Sequence, residues 1–395
     1  MITVFRRYSR PVNLLLTSSF VLTLARAISL PFLVVYLSSS FGLGIAAIGA
    51  MVGGALVGGS LLSLYGGYLT DRCSNYSLIL SYAACFILGF VGMLLTSDVR
   101  WFFVFLVAFN FAYSVMDVVV KASFGRLLPA AEQPKVFSVR YTLINMGYAI
   151  GPFLGAWLAQ AHLKLPFAVS ALLGLGFLLV YARWGERHPG AAADLASPSF
   201  LAVGRVLLAD RRLVCFTLGG LLSAVVFGQF TAYLSQYLVS TRSATEAYPV
   251  ISTLVAVNAV VVVTLQYGVG RRIDPYRLQA WLTAGLALFL IGILGFALAE
   301  QVWQWGLAMA VFTLGEIIVF PAEYMFIDRI ALPHLRGMYY GAQNLANLGA
   351  ALGPVLCGWV LAGLAPGWMF VMLAGFIVAG GLAYSVGARL AASPT

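Results

Sequence analysis

Twelve apolar runs, each long enough to cross a bilayer and parted by short gaps, constrain this chain more than any other feature. They cover residues 12–38, 44–69, 77–97, 101–122, 137–160, 165–183, 213–239, 247–269, 278–299, 303–327, 336–362 and 367–387. About 20 apolar residues in a helix span the hydrocarbon of a membrane, so twelve crossings are predicted. The runs are continuous and rich in Leu, Val, Ala and Gly, whereas strands of a membrane β-barrel alternate apolar and polar residues over about 10 positions. Helices are therefore the predicted elements. Composition agrees, with 62% hydrophobic and 9% charged residues against roughly a quarter charged in a soluble domain.

A formal net charge of +10 would suggest nucleic acid in a soluble protein. Its distribution points elsewhere. With the amino terminus inside, the cytoplasmic segments hold 19 basic residues, from Arg6, Arg7 and Arg10 through Arg140 to Arg389. The outer segments hold Arg100, Lys164 and Arg242, and Arg26 alone is left within a span. The positive-inside rule then predicts both termini in the cytoplasm. The basic excess is a topology signal, and no nucleic-acid partner is expected. The first run is much longer than a signal-peptide core and reads as the first span. Of the cysteines Cys73, Cys85, Cys215 and Cys357, no pair reads as a disulfide and none joins a metal-binding cluster. No cofactor or metal is expected.

The longest polar gap, 184–212, divides the chain into six-helix halves, 1–183 and 213–395. The halves repeat each other. Span five carries Asn145-Met-Gly147-Tyr-Ala-Ile-Gly151-Pro152 and span eleven Asn347-Leu-Gly349-Ala-Ala-Leu-Gly353-Pro354, at an offset of 202 residues. Gly67-Tyr-Leu-Thr-Asp71-Arg72 after span two matches Gly270-Arg-Arg-Ile-Asp274 after span eight, at an offset of 203. Two unrelated matches at almost one offset indicate a duplication with both copies in the same orientation. Parallel repeats of this kind bind substrate between the halves near the bilayer midplane.

The Gly67–Arg72 phrase resembles the loop motif Gly-x-x-x-Asp-Arg-x-Gly-Arg-Arg of the major facilitator superfamily, with Ser74, Asn75 and Tyr76 in place of its later residues. Gly147-x-x-x-Gly151-Pro152-x-x-Gly155 resembles the antiporter motif of that family's drug:proton exporters, although their span-four arginine motif is not visible. Arg26-Ala-Ile-Ser-Leu-Pro31-Phe and Gly315-Glu316-Ile-Ile are similar to phrases of bacterial multidrug and dipeptide efflux permeases. The resemblance implies an all-α membrane protein of twelve helices in two pseudo-symmetric bundles, exporting small amphipathic molecules by alternating access in exchange for protons. It also implies a monomer in the bacterial inner membrane. An importer of peptides, sugars or siderophores on the same fold is the rival reading. A membrane-embedded enzyme is disfavoured, because His162, His188 and His334 are dispersed and no paired nucleophile appears. No ATP-binding motif is present, so a gradient is the expected energy source.

Candidate residues follow from the cost of burying charge. Ionisable side chains at membrane depth face the bundle interior and mark pathways. Arg26, Glu316, Glu323 and Asp117 are therefore the candidates for proton coupling. Low dielectric disfavours the charged form of a carboxyl, which suits Glu316, near the middle of span ten, to take up and release a proton. Asp117 and Lys121, at i and i+4, either neutralise each other or leave Asp117 to form a charge relay with Arg72. Polar stripes at helical spacing, Asn110 and Tyr113 on span four and Gln229, Tyr233 and Gln236 on span seven, predict a wet substrate cavity. Tyr141 and Asn145 on span five, with Gln343, Asn344 and Asn347 on span eleven, complete it. Gly67, Asp71, Arg72, Gly270 and Asp274 are candidate gate residues, with Asp71 expected to meet the positive end of a helix or a basic partner. Gly147, Gly151, Pro152 and Gly155 combine a bare packing face with a bend.

The topology is directly testable. In a background lacking the four native cysteines, a cysteine at Ser243 should react with an impermeant thiol reagent from outside the cell, and one at Ser197 should not. The reverse labelling would overturn the orientation.

Overall fold

The computed structural model describes residues 8–187 and 199–390. The centre of the linker lies outside the described residues, with His188 and the Ser197 of the labelling test, as do Arg6 and Arg7. Among the described residues all regular structure is helical. The first half forms α1 (Arg10–Phe41), α2 (Ile45–Arg72), α3 (Asn75–Leu95), α4 (Val99–Leu127), α5 (Gln133–Ala161) and α6 (Leu165–Trp184). A short helix, α7 (Phe200–Ala209), follows the linker. The second half forms α8 (Arg211–Phe227), α9 (Phe230–Thr241), α10 (Ala244–Gly270), α11 (Leu278–Leu298), α12 (Val302–Ile330), α13 (Arg336–Gln343), α14 (Ala346–Gly363) and α15 (Trp368–Arg389).

Among the described residues, ten spans are long and apolar enough to cross a membrane, α13 and α14 counting together as one. The pair α8 and α9, bent by 42° at its break, adds an eleventh. The remaining predicted run is α5, which has the length of a span at 29 residues but too many polar side chains, Arg140, Thr142, Asn145 and Gln160 among them, to pass on hydropathy. All twelve runs are thus helical, and runs seven and eleven are each broken in two.

Local chemistry sets the helix ends. Pro11 occupies the first turn of α1, where its missing N–H costs nothing, and Gly42 ends the helix at φ +64°. Ser243 and Glu246 form a reciprocal cap at the start of α10. The Ser243 hydroxyl and backbone N–H hold the Glu246 carboxyl below its usual range.

Two compact units are distinguished by their internal contacts. One comprises Met1–Pro129, Val139–Phe200 and Leu332–Asn344; the other comprises Ala130–Ser138, Leu201–Ala331 and Leu345–Thr395. The halves of the sequence therefore supply the two main bodies and exchange two entry segments. Residues 130–138, leading into span five, count with the second unit, and 332–344, leading into span eleven, with the first.

Within the first unit α3 packs on α4 and α6, α2 on α4, and α1 on α6. Within the second unit the counterparts repeat: α11 packs on α12 and α15, α10 on α12, and α8 on α15. Aromatic side chains fill both interiors. Phe90 lies 4.8 Å from Phe109 between α3 and α4, and Phe289 lies 4.6 Å from Phe312 between α11 and α12.

The glycine motifs explain the closest approaches. Helices gain no hydrophobic drive from meeting inside lipid, so bare faces that let backbones touch are favoured. A Cβ on Gly147, Gly151 or Gly155 would run into Thr23, Ala27 or Ile28 of α1. In the second unit a Cβ on Gly349 or Gly353 would run into the Leu221 or Val225 carbonyl of α8. Each copy of the duplicated motif thus lies on the first span of its own half.

Gly151→Leu should force α5 off α1. Overpacking a closed contact costs about 1–3 kcal/mol, so the purified variant should unfold at a lower temperature than wild type, whereas Gly176→Leu, at a position facing open space, should not. Equal midpoints for the two variants would remove Gly151 from the packing argument.

Candidate functional site

The first unit concentrates its chemistry on α1, α2, α4, α5 and α13, with α13 packed on α2 and α4. The Gly-x-x-x-Asp motif ends α2, and its spacing of four puts Gly67 and Asp71 on one helix face. Gly67 lets α13 come close: a Cβ there would strike the Gly337 carbonyl and Met338 Cα, and one on Gly337 would strike the Gly67 carbonyl. Asp71 then closes the contact. Its Oδ1 accepts from the Gly337 N–H at 2.6 Å and its Oδ2 from the Met338 N–H at 2.9 Å. These amides belong to the first turn of α13, where N–H groups lack helical partners and the helix end is positive. Asp71 therefore meets the positive end of a helix.

The other end of α13 is held as firmly. Asn344, its C-cap, accepts from Lys121 Nζ at 3.0 Å and donates to the Ser114 carbonyl at 3.2 Å. At the first end, beside the Asp71 contact, Arg336 donates to the Gly125 carbonyl at 2.7 Å. This eight-residue helix is buried from Gly337 to Gln343. The polar stripe predicted along span eleven is consequently divided. Gln343 and Asn344 lie in the clasp, and Asn347 lies exposed on α14.

Lys121 also pairs with Asp117 at 2.7 Å, and Arg140 of α5 donates to the same carboxylate. Arg140 Nε bonds Ser19 Oγ at 3.1 Å. The Asp117–Arg72 relay considered from the sequence is replaced by this pairing: the Arg72 guanidinium sits 4.1 Å from the ring centroid of Tyr68, one turn back on its own helix. Arg26 is corrected in another respect, because it is not the sole basic residue within a span. Arg140 is 3% exposed. The signal was available, since Arg140 falls inside the predicted run 137–160. The Arg26 guanidinium lies 4.6 Å from the Tyr113 ring centroid, and the Tyr113 hydroxyl bonds Thr23 at 3.0 Å. Ser18, Ser19, Thr23, Tyr113, Asp117 and Arg140 line a cavity of about 20 Å³, roughly the room one water needs.

The remaining candidates of this unit turn inward on their own helices. Asn110 donates to the Leu106 carbonyl, its Cβ packed against Gly59, and Asn145 donates to the Tyr141 carbonyl. Tyr141 is buried.

In the second unit Glu316 is buried near the middle of α12. It accepts from Asn258 Nδ2 of α10 at 2.8 Å, and the same amide approaches Thr313 Oγ1 at 3.1 Å. Pro321 leaves the Ile317 carbonyl without its helical donor, and the fully buried Gln266 of α10 supplies one at 3.3 Å. Glu323, two turns beyond Glu316, faces Gly220 of α8 and Tyr384 of α15. Neither Asn258 nor Gln266 was legible as a site residue, since each is a single polar side chain in an apolar run. The break in run seven falls at Gly228, where α14 approaches so closely that a Cβ would strike Ala350. Tyr233 compensates by donating to the Val226 carbonyl at 2.6 Å. Gln229 lies exposed at that break and Gln236 exposed on α9. Gly270 lets Ser138 approach, as Gly67 does Gly337, but Asp274 caps only its own loop through the Tyr276 N–H. The duplicated motif thus clasps a helix end in one unit only.

A sequence profile described as Major Facilitator Superfamily matches residues 15–354. The chain is similar to a protein of Escherichia coli K12 named uncharacterized MFS-type transporter YdeE, 38% identical over 371 residues and covering 94% of this chain and 93% of that one. It is 25% identical over 415 residues to a Na(+), Li(+), K(+)/H(+) antiporter of Planococcus maritimus, covering 95% of each. It is also 25% identical over 354 residues to multidrug resistance protein MdtH of an Enterobacter species, covering 88% of this chain and 85% of that one.

The clasp carries its own test. Asp71→Asn removes the charge from the α13 end, an interaction worth about 1 kcal/mol. A single cysteine placed at the buried Met338 should then react roughly fivefold faster with a thiol reagent. An unchanged rate would show that α13 stays seated without the carboxylate.

Proposed function

The chain belongs to the major facilitator superfamily, and from that premise we propose that it is a proton-coupled exporter of small amphipathic molecules, drugs or dipeptides among them. Membership makes it a multi-pass membrane transporter and not an enzyme. The proposed setting is the bacterial inner membrane, with both termini in the cytoplasm and the protein acting as a monomer. The observation that carries the reading is Glu316, a carboxyl buried at mid-span beside a neutral amide and a hydroxyl. Burial in low dielectric raises the cost of a carboxylate's charge, so Glu316 is placed to take up a proton or to meet a cationic substrate. In the proposed cycle a cationic substrate and the proton compete for this carboxylate as access alternates. Release of α13 from Asp71 accompanies opening on the cytoplasmic side. The printed name of the MdtH relative supports the export of drugs.

A second reading, exchange of an alkali cation for protons, is favoured by the name of the Planococcus relative and by the oxygen groups of Glu316 and Thr313. Inverted vesicles separate the two. A proton gradient should drive uptake of a substrate from a panel of cationic drugs and dipeptides, whereas gradient dissipation by sodium or potassium alone would favour the second reading. Under the first, Glu316→Gln should still bind substrate and permit downhill exchange but no longer concentrate it. Glu323→Gln should have a milder effect. Uphill, proton-driven transport by Glu316→Gln would sink the assignment and move it to Asp117.

A further inference from the structure

One end of the second unit carries a basic cavity that the transport cycle does not use. It has a volume of about 400 Å³ and opens where α8 and α11 begin and α12 and α15 finish. Arg212, Arg277 and Arg329 line it together with Tyr276, and Phe326 and Leu278 add apolar wall. Among the described residues neither the Arg212 nor the Arg329 guanidinium has an acidic partner; the Arg212 backbone N–H donates to Asp210 Oδ1 at 3.0 Å, and the buried Nε of Arg212 has no hydrogen-bond partner. Arg277 reaches Asp274 only at 3.9 Å. Three guanidinium groups thus line one cavity, and among the described residues only that of Arg277 has a carboxylate within 4 Å. A guanidinium presents paired donors that match the oxygens of a phosphate, and leaving several close together with little counter-charge is unfavourable unless an anion joins them.

A second observation says what kind of anion. Ala280 also lines the cavity and begins an exposed apolar face on α11. That face continues at helical spacing through Ala284, Ala287, Ile291, Leu294 and Leu298, the last three being 56%, 58% and 70% exposed. Cationic cavity and apolar stripe are therefore continuous along one helix. Tyr276, 82% exposed at the cavity mouth, is the amphipathic kind of residue enriched at the boundary between headgroups and hydrocarbon. A soluble phosphate would use the arginines and have no use for the stripe.

We propose that this cavity binds the phosphate of an anionic phospholipid whose acyl chains lie along the exposed face of α11. Basic pockets at the ends of membrane helices are suited to such headgroups, and each basic residue close to an anionic lipid surface adds a comparable increment of attraction. The site is independent of which substrate the transporter carries.

The test uses the purified full-length protein in detergent, titrated separately with phosphatidylglycerol, phosphatidylcholine and soluble glycerophosphate. Thermal midpoint and lipid retained in native mass spectrometry are the two readouts. Phosphatidylglycerol should be retained and should raise the midpoint, and the other two should do neither. Arg212→Ala and Arg329→Ala should each weaken phosphatidylglycerol binding roughly fivefold, and Arg329→Lys should retain most of it. Arg272 lies outside the cavity, bonded back to the Gly268 carbonyl of the preceding helix, so Arg272→Ala should bind as wild type. Should either alanine variant at Arg212 or Arg329 fail to fold, Arg277→Ala, at a position 81% exposed, carries the same expectation. Unchanged phosphatidylglycerol binding in the Arg212→Ala, Arg329→Ala double variant would overturn the site. An equal loss in Arg272→Ala would reduce it to diffuse charge, and equal stabilisation by glycerophosphate would reassign it to soluble phosphate.

Discussion

Hydrocarbon offers a peptide backbone no hydrogen bonds, so every amide and carbonyl at membrane depth must find its partner inside the protein. Much of this structure follows from that constraint. Where a helix is intact the backbone answers for itself. Where it breaks, a side chain must stand in. Pro321 frees the Ile317 carbonyl and Gln266 serves it; the break at Gly228 is bridged by Tyr233 on Val226; the open first turn of α13 is served by Asp71. The deviations from regular helix and the buried polar residues are two sides of one requirement.

The clasp on α13 shows how a charge is made to matter in such a protein. A half-buried carboxylate at the end of α2 is tolerable because two amides aim at it, and the amides reach it because Gly67 and Gly337 have no side chains to hold the backbones apart. The C-terminal end of the same helix is tied through Asn344 to Lys121, and through Lys121 to Asp117, Arg140 and the small polar cavity against α1. A chain of contacts therefore connects the clasped helix with a cluster of buried charge. The corresponding loop of the second unit has the glycine and the aspartate but spends the aspartate locally. Duplication supplied the parts twice, and only one copy engages them on a helix end.

Charge placement divides the two units. The first buries or half-buries Arg26, Lys121 and Arg140 around the single carboxylate of Asp117. The second buries Glu316 and Glu323 on one helix, with amide and hydroxyl neighbours for the first of them. The opposite signs of these interiors are a property of the fold, since the residues lie scattered along more than 290 positions of the chain.

The sequence by itself determined the class of element, the number of apolar runs, the duplication and the motif glycines. Each of these is local: a helix in lipid needs a continuous apolar run, and a close approach needs a missing side chain at a given spacing. Asp71 at a helix end and Glu316 in a span were legible for the same reason, because the cost of a charge in hydrocarbon depends on depth along one helix. Only the tertiary structure decided partners. It turned Arg140 from an assumed cytoplasmic charge into the buried counter-ion of Asp117, gave Arg72 to Tyr68, brought Asn258 and Gln266 onto α12, and split span eleven between a clasped segment and α14. A partner is set by which faces meet across a bundle, and residues 223 positions apart, such as Lys121 and Asn344, leave no periodic trace of that meeting in the chain.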